Sequence, residues 1–98
     1  MCGIIGINSN RPVSSTIISS LKKLEYRGYD SAGIATLSNN EINEVKSEGR
    51  VDNLENNLLV QKMEGTIGIG HVRWATHGLP NSINAHPHSS QNVSVVHN

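Results

Sequence analysis

The sequence contains no phenylalanine, one tryptophan and two tyrosines, so aromatic residues make up only 3% of the chain. A hydrophobic core therefore has to be built from isoleucine, valine and leucine, and 98 residues are enough for one small domain. The single cysteine excludes an intramolecular disulfide, which is typical of proteins from a reducing compartment.

Excess charge of either sign is also missing, because eight basic residues balance eight acidic ones. Without a basic patch, nothing favours nucleic acid or an anionic membrane as a partner, and the Lys22–Lys23 pair is interpreted as solvated charge on a helix. The start MCGIIGIN is too short for a signal peptide, and no apolar run is long enough to span a bilayer. We therefore expect a cytoplasmic protein that binds neither nucleic acid nor membrane.

The spacing of the apolar residues predicts an α+β fold with antiparallel strands. Strands are predicted over 3–8, 31–37, 41–46, 66–74 and 93–97, with a hairpin turn at Asn39-Asn40. Helices are predicted over 12–25 and 51–63, the second with Leu54, Leu58 and Leu59 on one face. The polar segment 75–92 has no predicted regular structure, and a segment that long is usually functional in a compact domain.

Cys2 directly follows Met1, and removal of Met1 would leave Cys2 with a thiol and a free α-amine on one carbon. Such a residue combines a nucleophile with its own general base, because an α-amine has a pKa of roughly 8 and is partly neutral near neutral pH. A lone cysteine near a terminus is also typical of a small buried hydrophobe. The residues downstream have to decide between these interpretations.

Four blocks carry the polar residues of interest: MCGI at 1–4, YRGYDSAG at 26–33, GHVRWATHG at 70–78 and NAHPH at 84–88. Together with VVHN at 95–98, they resemble the class II glutamine amidotransferases, N-terminal-nucleophile enzymes that release ammonia from glutamine. The second and third blocks are most similar to the branch that aminates fructose 6-phosphate. The resemblance implies an αββα sandwich of antiparallel sheets with flanking helices, of which only the first half is present.

The resemblance also implies the chemical roles. Cys2 would attack the carboxamide of L-glutamine and form a thioester, with its own amine as the base. Asn98 would be the side-chain donor of the oxyanion hole, a contribution of roughly 3 kcal/mol. Arg73 would hold the substrate α-carboxylate, which suits a guanidinium fork, although an arginine taken alone is more typical of a solvated surface.

Further residues match the surroundings of the substrate. Trp74, Thr76 and His77 match the wall of the glutamine pocket, Thr76 through its hydroxyl and Trp74 through its backbone. Arg27 corresponds to a residue beside the nucleophile, but an ion pair with Asp30 that fixes the turn is an equally good interpretation.

The five histidines do not predict a metal site, because they come without a companion carboxylate motif. The resemblance likewise implies neither metal nor cofactor. The glycines at 65, 68 and 70 do not form a dinucleotide loop, since Arg73 stands where its last glycine would be. We interpret them as a sign of close strand packing.

The family's glutaminase domains continue beyond the position of Asn98, with a glycine that completes the oxyanion hole and an acidic residue for the substrate amine. We therefore expect residues 1–98 to be the N-terminal segment of such a domain, inactive by itself and lacking the isomerase domain of a homo-oligomeric enzyme. Two alternatives remain: the segment of another class II amidotransferase, or a non-catalytic truncated product that pairs with full-length enzyme.

Overall fold

The computed structural model describes residues 1–98, which form a four-stranded antiparallel sheet, helices on one face of it, and a separate two-stranded ribbon. The strands are β1 (Gly3–Asn8), β2 (Ser31–Ser38), β3 (Glu41–Glu48), β4 (Ile67–Arg73), β5 (His88–Ser89) and β6 (Ser94–Val95). The helices are α1 (Ser14–Leu24), α2 (Val51–Glu55) and α3 (Leu58–Gln61), with a 3-10 turn at Glu25–Arg27. The sheet order is β1-β4-β2-β3, and β5 pairs with β6.

The predicted hairpin is confirmed. β2 and β3 pair antiparallel from Ser38 opposite Glu41 to Ser31 opposite Glu48. Asn39 and Asn40 have φ angles of 52° and 62°, the positive values that a two-residue hairpin turn needs to match the twist of its strands. Asparagine tolerates this conformation better than most residues, which explains the Asn-Asn pair at the turn.

The glycines of β4 let the helix α1 approach the sheet closely, where the sequence predicts close packing between strands. A Cβ on Gly68 would lie 2.7 Å from Cδ1 of Ile17, and one on Gly70 would lie 2.6 Å from Cγ2 of the same residue. Val72 follows on this face, where it pairs with Ala32 of β2 and Gly3 of β1. The helix therefore packs directly on the backbone of the central strand.

The core lies between this face of the sheet and the three helices. Its buried residues are aliphatic apart from one methionine, and a single cluster contains Val13, Ile17, Ile18, Leu21, Ala32, Ile34, Val45, Val51, Leu54, Val60, Met63 and Val72. No aromatic side chain takes part, in agreement with the composition.

The single helix predicted over 51–63 is wrong. Two short helices occur instead, and the chain breaks between them at Asn56-Asn57, where the Asn57 side chain accepts from the Leu59 N–H at 2.9 Å. This cap satisfies a backbone donor that a continuous helix would have paired internally. The break also rotates the apolar face: Leu54 is fully buried, whereas Leu58 is 66% exposed.

Two smaller expectations also need correction. The strand predicted over 93–97 shrinks to Ser94–Val95, which pairs with β5 and not with the main sheet. Lys22 is not a free solvated charge, since its Nζ lies 2.7 Å from Glu55 and 3.5 Å from Asp52.

The second face of the sheet is covered in part by the segment 85–98. Gly33 of β2 is where the two touch, because a Cβ there would lie 1.9 Å from the carbonyl oxygen of His86. Beside that contact, Ile4, Leu37 and Ile67 are each about two-fifths exposed. No helix is both long enough and apolar enough to cross a membrane.

Candidate active site

Cys2 directly precedes β1, at the end of the sheet where β4 ends. The pairing of Gly3 with Val72 brings Cys2 to the residue that follows β4, Trp74. The Trp74 N–H donates to Sγ of Cys2 at 3.5 Å, and the Trp74 carbonyl oxygen lies 3.9 Å from the same sulfur. The sulfur of Cys2 is therefore in contact with the backbone of the residue that follows β4.

Asn98 reaches the same residue from the other end of the chain. The Cys2 N–H donates to Oδ1 of Asn98 at 2.9 Å. Because Oδ1 accepts this bond, the Nδ2 group of the amide points away from the Cys2 nitrogen and keeps both of its donors. The geometry therefore brings together a thiol and an amide donor, which are two of the parts that acyl transfer requires.

Arg27 contacts the backbone of the predicted nucleophile. Its Nε donates to the Cys2 carbonyl oxygen at 3.0 Å, and its Nη2 lies 3.9 Å from Sδ of Met1. The alternative ion pair with Asp30 is not formed; that carboxylate accepts from the Ala75 N–H at 2.7 Å. Arg27 thus lies beside Cys2, at the position that the resemblance implied.

A pocket of about 300 Å³ opens beside these groups. Its lining consists of Cys2, Gly3, Ile4, Leu24, Tyr26, Arg27 and Asn98. The residues predicted to hold glutamine, from β4 onward, are not part of this lining. The structure thus joins Cys2, Arg27 and Asn98 in one pocket and leaves the loop after β4 on the other side of the sulfur.

Arg73 organises the loop that follows β4. It is 8% exposed, and its Nη1 donates to the Leu79 carbonyl at 2.8 Å while Nη2 donates to the His77 carbonyl. Asn84 also donates to the Leu79 carbonyl, at 3.0 Å, and Gly78 turns the chain with a φ of 80°. Two of the five guanidinium donors are engaged, which leaves the others for a ligand.

Trp74, Thr76 and His77 all have exposed side chains. The Trp74 backbone, which the resemblance assigns to the wall of the glutamine pocket, contacts Sγ of Cys2, while the half-exposed ring borders a small cavity together with Tyr29 and Asp30. The hydroxyl of Thr76 and the ring of His77 make no hydrogen bond. The structure therefore does not bring these two side chains onto Cys2.

Three histidines, His71, His86 and His88, form a stack on the second face of the sheet. The rings of His71 and His86 are parallel within 20° with centroids 4.3 Å apart, and His88 meets His86 edge-on at 4.4 Å. Burial, and then repulsion from His71, lowers the pKa of His86 to about 4, and burial also lowers the pKa of His71. Neutral stacked rings are the result, and no three His, Cys, Asp or Glu side chains converge on a common point.

Sequence reasoning missed two residues that shape the site. Asp30 receives the Ala75 N–H, and its own N–H donates to the Arg73 carbonyl at 3.0 Å, so it fixes the backbone on both sides of Trp74. His71 is bonded to the residue before Asn98. Asp30 stood inside a recognised block, but both residues act on main-chain atoms, for which the sequence carries no signal.

Comparison with known proteins gives relatives along the whole chain, although no family model matches it. Glutamine–fructose-6-phosphate aminotransferases (isomerizing) from Mesorhizobium japonicum and Brucella abortus are each 55% identical over 98 residues, and the one from Clostridium acetobutylicum is 55% identical over 100. All of this chain is covered, but only 16% of each relative.

Solved structures agree on the fold. The glutamine phosphoribosylpyrophosphate amidotransferase from B. subtilis matches 96% of this chain and 20% of its own with a TM-score of 0.75 and 25% identity. An allosteric regulatory enzyme of purine biosynthesis matches 89% of this chain and 18% of its own with a TM-score of 0.78 and 28% identity. The chain therefore has the fold of the N-terminal-nucleophile glutamine amidotransferases, and along its whole length it corresponds to the N-terminal 16% of the glutamine–fructose-6-phosphate aminotransferases that it matches.

Proposed function

We propose that residues 1–98 supply the nucleophile and the side-chain oxyanion donor of a glutaminase site, with Cys2 and Asn98 in these roles. The observation that carries the proposal is the convergence of two distant parts of the chain on Cys2, the Trp74 N–H on its sulfur and the Asn98 amide on its backbone nitrogen, in the lining of one pocket. A surface cysteine without a function would not need partners on both sides that come from distant parts of the chain.

The first half of the reaction follows from the atoms at this place. The α-amine of Cys2 takes the thiol proton, and Sγ forms a bond to the side-chain carbonyl carbon of L-glutamine. The negative charge then rests on the carbonyl oxygen, where the Nδ2 donor of Asn98 stabilises it. The amine returns its proton to the departing nitrogen, the carbon–nitrogen bond breaks, and ammonia leaves behind a glutamyl thioester.

Water completes the cycle. It adds to the thioester carbonyl carbon, the same amine accepts its proton, and the bond to sulfur breaks to give glutamate and the free thiol. Arg73 would bind the α-carboxylate with its free donors while it holds the loop that carries Thr76 and His77.

Met1 decides whether this chemistry can begin. With Met1 attached, the Cys2 nitrogen is a peptide N–H that donates to Asn98, and a peptide nitrogen has no basic lone pair. Removal of Met1 would convert the same atom into an amine that remains next to both Sγ and Asn98.

The relatives' names extend the proposal to the complete gene product. Since they are aminotransferases that act on fructose 6-phosphate, we infer that the ammonia is passed to that sugar phosphate to make glucosamine 6-phosphate. This second reaction would need residues outside 1–98. A cytoplasmic homo-oligomer without metal or cofactor in its glutaminase site is the form that we propose for it.

A covalent label tests the proposal directly. The complete gene product with Met1 removed should convert glutamine to glutamate, and a diazoketone analogue of glutamine should add once to the peptide that contains Cys2, as peptide mass spectrometry can show. Cys2→Ala should abolish both. Glutamine hydrolysis that survives Cys2→Ala, or labelling at another residue, would contradict the assignment.

A further inference from the structure

His71 is fully buried in β4, on the face of the sheet that points away from the helices. Its Nε2 lies 2.8 Å from the carbonyl oxygen of His97. Since a carbonyl oxygen can only accept, Nε2 must carry the ring proton and donate it, and Nδ1 is left without a proton or a partner. The backbone of the residue before Asn98 therefore fixes the tautomer of a buried histidine.

Two side-chain hydrogen bonds reach the segment 96–98 that follows β6: His71 to the His97 carbonyl, and the Cys2 N–H to the Asn98 side chain. Ordering a side chain such as that of Asn98 costs conformational entropy, which hydrogen bonds of this kind help to offset.

We propose that His71 is a positioning residue that keeps Asn98 against Cys2, an inference that rests on the proposed role of Asn98 as oxyanion donor. The bond from His71 fixes the peptide one residue ahead of Asn98, and the bond from Cys2 fixes the side chain itself. The two bonds together restrain Asn98 beside Cys2, while the Nδ2 donors stay free for an oxyanion.

The surroundings of His71 suit a rigid donor. Its ring is parallel to the ring of His86 within 20°, a packing contact that is separate from the bond to His97. Burial lowers the pKa of His71, which keeps the ring neutral with a single N–H. That one N–H goes to His97, so losing it leaves a buried carbonyl oxygen without its partner.

Three substitutions separate this bond from simple packing. His71→Leu removes the donor and keeps much of the volume. His71→Gln restores an N–H close to the position of Nε2. His86→Leu removes the stacking ring and leaves the bond to His97 in place, so it is the matched control.

Kinetics of the complete gene product give the first measurement. His71→Leu should lower kcat for glutamine hydrolysis by about tenfold to hundredfold, less than the roughly 10²–10³ that outright removal of an oxyanion donor costs, with little change in KM. His71→Gln should recover most of kcat, and His86→Leu should stay close to the wild type. If His86→Leu costs as much as His71→Leu, or if KM rises and kcat does not fall, the proposal is wrong.

Hydrogen exchange gives a second measurement that does not need catalysis. In the 98-residue chain with Met1 attached, the Cys2 N–H is bonded to Asn98, and NMR can follow its exchange with deuterium. His71→Leu should speed this exchange by about tenfold or more, whereas His71→Gln and His86→Leu should not. Unchanged exchange in His71→Leu would overturn the proposal. If exchange responds as expected but the wild type hydrolyses no glutamine, the positioning role stands and the proposed function fails.

Discussion

The backbone N–H of Cys2 and the side-chain oxygen of Asn98 are joined by a 2.9 Å hydrogen bond across 96 positions of sequence. The bond connects the entry to β1 with a residue that lies beyond the last strand. It involves the very nitrogen that the proposed chemistry needs as a base, so the state of that nitrogen is the first property to test.

Retention of Met1 should abolish glutamine hydrolysis by the complete gene product, because the Cys2 nitrogen is then a peptide N–H and cannot accept the thiol proton. Intact mass gives the fraction of chains that retain Met1, and the initial rate of glutamate formation should scale with the remainder. Treatment of the retained form with a methionine aminopeptidase should restore the rate. Full activity of a homogeneous Met1-containing preparation would rule out the amine as base.

Arg73→Lys should raise KM for glutamine by about tenfold or more and lower kcat by less, because a lysine keeps the charge but cannot span the carbonyls of His77 and Leu79 and still offer a fork to a carboxylate. Steady-state kinetics of the complete gene product measure both constants. Lys23→Met, which removes an exposed charge on α1, is the matched control and should change neither. A loss confined to kcat would place Arg73 in the chemical step.

Leu54→Ala should lower the free energy of unfolding by about 2–5 kcal/mol, because Leu54 is fully buried in the core. Leu58→Ala should change it by less than about 0.5 kcal/mol, because that side chain is 66% exposed. Urea unfolding of the two variants measures the difference. Similar losses at both positions would instead support one continuous helix with both leucines on its buried face.

Gly33→Ala should destabilise the fold by about 1–3 kcal/mol, because the new Cβ would lie 1.9 Å from the His86 carbonyl oxygen and force the segment away from the sheet. Gly6→Ala is the same change in a neighbouring part of the sheet, where the nearest atom is 3.8 Å away, and it should be neutral or slightly stabilising. Thermal unfolding of both variants checks the pair. Equal midpoints would mean that the segment does not rest on Gly33.

Stability should fall as the pH decreases from about 6.5 to about 4, because burial and the neighbouring His71 lower the pKa of His86 from 6.5 to about 4. Within that range the unfolded chain binds a proton that the folded chain does not, so the free energy of unfolding rises with pH and levels off above 6.5. Urea unfolding at several pH values measures the slope. His86→Leu should flatten it, and an unchanged slope would contradict the assignment.

The strands of the main sheet could be predicted from sequence because each is a short run with apolar residues between turn residues, and β1 and β2 lie within one residue of the predicted bounds. The helical region after β3 could not, because three leucines at helical spacing also fit two short helices, and the cap at Asn57 together with burial of Val60 decided between them. The spacing of apolar residues shows which of them could share one face of a helix, but not which of them the tertiary fold will bury.

The candidate site likewise contains some residues that the sequence could predict and others that it could not. Cys2, Arg27 and Asn98 could be identified from their blocks, and they lie together around one pocket. His71 and Asp30 could not be given a role, because each acts on a backbone atom of a distant residue, and every residue has the same backbone atoms.

The two glycines in the middle of β4, Gly68 and Gly70, favour a core that contains no phenylalanine. With hydrogen atoms in place of side chains at Gly68 and Gly70, α1 rests on peptide groups at these two positions, and the side chain of Ile17 fills the space there. Branched aliphatic residues such as Ile17 fill so narrow a gap, whereas a planar six-membered ring would push the layers apart. The short distance between α1 and the sheet and the aliphatic composition of the core therefore have the same cause, the absence of Cβ atoms at Gly68 and Gly70.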